Sequence, residues 1–151
     1  MSTDQDDLVA RIATFKTPES CEQFAKNVEA RGKPELAQLA RRRAIEIRAE
    51  QYGATTTAER DALEAVYAYE RTLFVKHGRV VRASRTWQMI KNRGVIQAVE
   101  NVVTRSEEST GYEALVAMGL KDKSFEAVVL RHPGLFSKTA RQRSEERLRY
   151  A

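Results

Sequence analysis

With 151 residues, 42% hydrophobic and 31% charged side chains and only three prolines, the chain has the make-up of one ordinary globular domain able to bury about two thirds of its unfolded surface, which excludes a disordered or fibrous protein. One cysteine, Cys21, excludes an internal disulfide, and two histidines, His77 and His132, are too few for a structural zinc site. The formal charge of +5 is uneven: residues 1–30 carry three basic and six acidic groups, whereas residues 71–105 carry eight basic groups against the single acid Glu100.

Abundant Ala, Leu, Glu, Arg and Gln with sparse Gly and Pro favour helix throughout. The opening Met1-Ser2-Thr3-Asp4-Gln5-Asp6-Asp7 lacks the basic-then-apolar order of a signal peptide, and no apolar run is long enough to span a bilayer. Together with the single thiol, this sets the expectation of a cytoplasmic protein without membrane contact. Leu8, Ile12 and Phe15 predict a first short helix capped by Asp4 or Asp6. Thr17-Pro18 then places a capping hydroxyl before a first-turn proline. Cys21, Phe24, Ala25 and Val28 share one face of the second helix, which Gly32 stops.

A third helix should run from Pro34 to Tyr52 and end at Gly53, burying Leu36, Leu39, Ala40 and Ile47. Thr56-Thr57-Ala58-Glu59 has the spacing of a capping box. It launches a long fourth helix with a stripe of Leu63, Val66, Tyr67, Leu73 and Phe74, closed by Gly78. The short loop between these two long helices predicts that they pair antiparallel over about 34–77. Arg43 and Glu70 both fall on inward faces of this hairpin, and a structural ion pair between them would satisfy both charges.

After Gly78 the stretch Arg79-Val80-Val81-Arg82 is the one place where an extended segment competes with helix. Ser84 is expected to cap a short helix holding Trp87, Met89 and Ile90. Gly94 ends it, and Val95, Ile96, Val99, Val102 and Val103 follow the helical period in the next. Thr110-Gly111-Tyr112-Glu113 reads as a second capping box, and Gly119-Leu120 as a helix stop with its apolar contact. Phe125, Val128 and Val129 face inward on a helix ended by Pro133, and Ser137 caps a final basic helix. The expected fold is all-α: one bundle of about eight helices, comprising an N-terminal helix and acidic tail (1–16), helical hairpins (17–78) and shorter basic helices (79–151).

The segment from Ser84 to Arg105 is the first functional candidate, since helix, glycine turn and helix suggest a DNA reader. Ile90 is nevertheless large for the close helix crossing of a helix-turn-helix, and Glu100 stands where an apolar residue is wanted. Around it, Arg79, Arg82, Arg85, Lys91 and Arg93 suit phosphates, Gln97, Asn101 and Thr104 suit base edges, and Trp87 suits base stacking. A plain helical hairpin with a solvated basic rim has the same sequence. The expected function is a nucleic-acid-binding accessory or regulatory module for DNA or RNA. The alternative is an oligomerising or protein-binding helical adaptor, in which an acidic protein, or the acidic N-terminal portion of another copy, meets the basic middle.

There is no Walker glycine loop, dinucleotide fingerprint, paired metal-binding histidines or nucleophile elbow, so no cofactor or metal is expected and no catalytic residue is assigned. An enzyme would have to assemble around Glu70, Arg43 or His132. Cys21 on an apolar stripe reads as a packed thiol rather than a nucleophile.

Overall fold

The computed structural model describes residues 3–105 and 111–149. Among these residues it contains nine α-helices, two single-turn 3-10 helices and no strand, an all-α fold. The backbone separates into two compact units that divide between Gly53 and Ala54.

The first unit holds α1 (Asp4–Thr14), α2 (Pro18–Ala30) and α3 (Pro34–Tyr52). Thr3, and not Asp4 or Asp6, caps α1: its hydroxyl accepts from the Asp6 N–H while the Asp6 carboxylate accepts from the Thr3 N–H, a complete capping box. Thr17 caps α2 through the Ser20 N–H with Pro18 in the first turn, as expected. α1 and α2 both pack on α3. Ile12, Phe24, Ala25, Val28, Leu36, Ala37 and Ala40 form the main core, with Cys21, Ala44 and Ile47 in a second cluster. Ala37, Ala40 and Ala44 recur on one face of α3 and have no accessible surface, so the small stripe admits its neighbours at close range. Each fully buried Phe or Leu in such a core contributes roughly 1.5–3 kcal/mol. Leu39, expected on the buried side, is 41% exposed, because the seam follows the alanines instead.

The second unit comprises α4 (Thr57–His77), α5 (Ser84–Arg93), α6 (Val95–Arg105), α7 (Tyr112–Ala117), α8 (Phe125–Arg131) and α9 (Lys138–Arg149), with 3-10 turns at Lys121–Lys123 and Pro133–Leu135. α4 packs on α6, α7 and α8, α6 packs on α5, α8 and α9, and α8 lies along α9. The two long helices, α3 and α4, belong to different units, and each finds the packing of its core inside its own unit. Leu63 and Val66 are buried on α4, but Phe74 at the end of the predicted stripe is 36% exposed. Val95, Val99 and Val103 are buried on α6, so the valines do follow the helical period.

Segment 79–83 forms neither strand nor helix. Ser84 is the first residue of α5 and not its cap; Ala83 holds that position without a side-chain bond. Thr110, proposed as a capping residue, lies outside the described residues, and the cap position of α7 is Gly111, with no side-chain bond. At Gly111 φ is +68°, and a Cβ there would stand 3.1 Å from the Thr72 hydroxyl, so both backbone conformation and close approach call for glycine. The stop at Gly119 forms as expected: the Leu120 N–H donates to the Leu115 carbonyl at 2.8 Å, and Leu120 is buried.

An internal ion pair crosses this core. Lys123 Nζ donates to Glu64 Oε1 at 2.6 Å, with side chains 5% and 11% exposed.

Candidate nucleic-acid interface

α5 is led in by the irregular segment 79–83, and Glu70 on α4 holds that segment in place. Glu70 Oε2 accepts three hydrogen bonds: from Arg82 Nε at 2.9 Å, from the Ala83 N–H at 2.8 Å and from Trp87 Nε1 at 2.7 Å. A carboxylate is suited to this position, because it meets the unsatisfied N–H end of α5 as well as a guanidinium. The indole of Trp87 also rests 5.2 Å from the Tyr67 ring, with the Arg82 guanidinium over its face. Glu70 and Arg43, expected as a structural ion pair, each have partners inside their own unit. Glu70 takes Arg82, and Arg43 donates to the Phe15 carbonyl at 3.2 Å and lies 3.8 Å from Glu50. Trp87, expected to stack on bases, is likewise engaged inward by Glu70 and Tyr67.

The other cations of the segment behave differently. Arg79, Arg85, Lys91 and Arg93 are all exposed and form no ion pair among the described residues. The acid of this stretch, Glu100, does not neutralise them. Its two carboxylate oxygens accept from the Ser137 N–H at 2.8 Å and the Ser137 hydroxyl at 2.7 Å, while that hydroxyl caps α9 through the Ala140 N–H. Glu100 thus occupies a helix-to-helix tie rather than an apolar recognition-helix position.

α5 and α6 meet at one residue, Gly94, with φ +92° and ψ 164°. That backbone region is essentially reserved for glycine. A helix-turn-helix joins its helices through three or four residues; the single-residue joint here departs from that motif. The two helices enclose an open groove of about 370 Å³. From α5 it is lined by Arg85, Thr86, Gln88, Met89 and Asn92, and from α6 by Ala98, Asn101, Val102 and Arg105. Apart from Thr86, both sets have the i, i+3, i+4, i+7 spacing of one helical face. Asn101 lines the groove and Gln97 is exposed, while Thr104 spends its hydroxyl on the Glu100 carbonyl. Gln88, Met89, Asn92 and Arg105 are members of the groove that charge and motif reading passed over; the repeated spacing of amides on both helices was the available signal.

In the basic final helix Lys138 and Arg149 are exposed, whereas the three arginines between them are engaged within the unit. Arg141 donates to the carbonyls of Pro133 and Phe136, Arg143 to the carbonyl of Thr104, and Arg147 stands 3.9 Å from Glu126. Glu126 is 2% exposed, and among the described residues its second oxygen has no hydrogen-bond partner, as is also true of the buried hydroxyls of Tyr112 and Ser144. Burial pushes the Glu126 carboxyl up, against the opposing pull of a backbone hydrogen bond and Arg147, and burial also raises the Tyr112 phenol.

The residues considered for an enzyme are similarly occupied. His132 Nε2 lies 2.7 Å from Asp61 Oδ2, which also faces Arg131 Nε at 3.4 Å. Cys21 has no accessible surface, and desolvation raises its thiol pKa, which opposes a nucleophilic role. Among the described residues no three His, Cys, Asp or Glu side chains converge on a metal-sized site, and no helix is long and apolar enough to cross a membrane. No family model, curated protein or solved structure matches the chain.

Proposed function

We propose that this chain is a nucleic-acid-binding helical module of the cytoplasm, accessory or regulatory in role, which contacts phosphates through the exposed cations around α5 and α6. The observation that carries this reading is the uneven use of acids. Glu70 is taken by Arg82, the Ala83 amide and Trp87, and Glu100 by Ser137, which leaves Arg79, Arg85, Lys91, Arg93 and Arg105 without a carboxylate among the described residues. Solvated arginines and lysines without internal partners are available to phosphates, and Arg85 and Arg105 share a groove with neutral amides. Arg82 and Trp87 serve this surface by positioning the lead-in to α5.

Binding through about four to six phosphates makes the logarithm of affinity fall with the logarithm of salt concentration at a slope of roughly −3 to −5. Fluorescence anisotropy of labelled oligonucleotides from 50 to 300 mM salt measures that slope. Replacing Arg79, Arg85, Lys91 and Arg93 together by serine should abolish binding at 100 mM salt and flatten the slope. Absence of binding to any DNA or RNA at the lowest salt rejects the reading.

A further inference from the structure

We propose that the groove between α5 and α6 receives an unpaired nucleobase, so that the module selects single-stranded nucleic acid over duplex; this rests on the reading in the preceding subsection. Three carboxamides converge on the groove, Gln88 and Asn92 from α5 and Asn101 from α6, and none makes a side-chain hydrogen bond among the described residues. A carboxamide offers a donor and an acceptor side by side, which is the pattern on the hydrogen-bonding edge of every base. In a duplex that edge is consumed by pairing, and a protein reading the remaining edges has to project an element into one of the grooves. Here the amides stand inside a concavity. A base turned out of a strand enters such a space; a base held in a stack does not.

The remaining lining fits the rest of a nucleotide. Met89 and Val102 give the groove apolar surface for the faces of the ring, with the polarizable thioether of Met89 suited to an aromatic plane, while Ala98 beneath them is fully buried. Arg85 and Arg105 supply cations for the phosphates on either side, and among the described residues no carboxylate belongs to the lining. At about 370 Å³ the space is at the small end of ligand sites, in keeping with one base and its sugar rather than a longer segment.

The test uses the full chain and 20-nucleotide mixed-sequence strands of DNA and of RNA, each compared with its own duplex by anisotropy at 50 mM salt. Single strands should bind about tenfold or more tightly than duplex. Asn101→Ala, and separately the exposed Asn92→Ala, should lower affinity for the strand about tenfold and so remove most of that preference, and Lys91→Ala should weaken both forms alike. RNA above DNA at equal length would assign the strand to RNA through its 2′-hydroxyl, and equality of the two would assign the site to the base alone. Equal affinity for strand and duplex, or amide variants that keep the strand preference, overturns the base groove yet leaves phosphate binding standing. Failure of both strand and duplex to bind overturns both.

Discussion

Removing one partner of the Glu64–Lys123 pair is the most demanding test of the second unit's core. The two side chains meet at 2.6 Å with 11% and 5% of their surface exposed, so neither retained charge has a route to full hydration. Lys123→Met keeps the aliphatic stem and leaves the Glu64 carboxylate behind. A buried ion deprived of its partner costs about 3–5 kcal/mol. In a unit of roughly 100 residues each kcal/mol lowers the melting temperature by about 4–5 °C, so a fall of roughly 12–25 °C is expected. Glu64→Leu alone should be comparably damaging, because it strands the ammonium. The double variant, Glu64→Leu with Lys123→Met, removes both charges and should recover most of the loss, with a coupling of about 2 kcal/mol or more. Urea melts give the four stabilities, and equal slopes show that all four variants unfold the same surface. A Lys123→Met loss under about 1 kcal/mol, or a double variant as unstable as the sum of the singles, would refute the claim that the pair is sealed from solvent.

The Glu126 carboxyl, raised by burial, binds its proton more tightly in the native than in the unfolded chain. Stability therefore declines as pH climbs from the ordinary carboxyl range through the raised native value, and Glu126→Gln should remove that decline and add about 1–3 kcal/mol at neutral pH, read from urea midpoints across pH 4–8. An unchanged pH profile would contradict it. Glu70→Ala should release the three donors it accepts, lower stability by about 1–3 kcal/mol and shift the emission of Trp87, the chain's one tryptophan, toward the red. The same emission maximum before and after would mean that the indole does not depend on Glu70.

Helix boundaries were legible wherever the signal is local. Thr17 with Pro18, Gly53, Gly78, Gly94, Gly119 with Leu120, and Ser137 all act within a turn of their own backbone, and each lies where its spacing predicts. The α1 cap moved from aspartate to Thr3 because the box needs a hydroxyl three residues before an acid, and Thr3 and Asp6 supply both. Long-range choices were not legible. Arg82, twelve residues after Glu70, competes for it successfully because the chain turns back at Gly78, whereas a periodicity argument compares Arg43 and Glu70 only as faces of helices. Arg141 and Arg143 look like surface charge in sequence, yet they satisfy carbonyls at the ends of other helices. Leu39 and Phe74 failed as core residues because a seam built on alanines, and a helix whose last turn emerges into solvent, leave apolar side chains outside. Of the candidate interface, the cations were legible as charge. The groove was not, since it exists only once Gly94 folds α6 back beside α5.

That single-residue joint has an evolutionary corollary. A hinge of several residues lets each side-chain replacement be absorbed by a new loop conformation, so affinity and architecture drift together. With Gly94 alone between the helices, the backbone tolerates almost no change at the joint, while the groove positions other than the buried Ala98 sit on regular helix and can vary without moving it. Such a scaffold separates the two problems: the lining of the recess can change, position by position, while the recess itself is inherited intact.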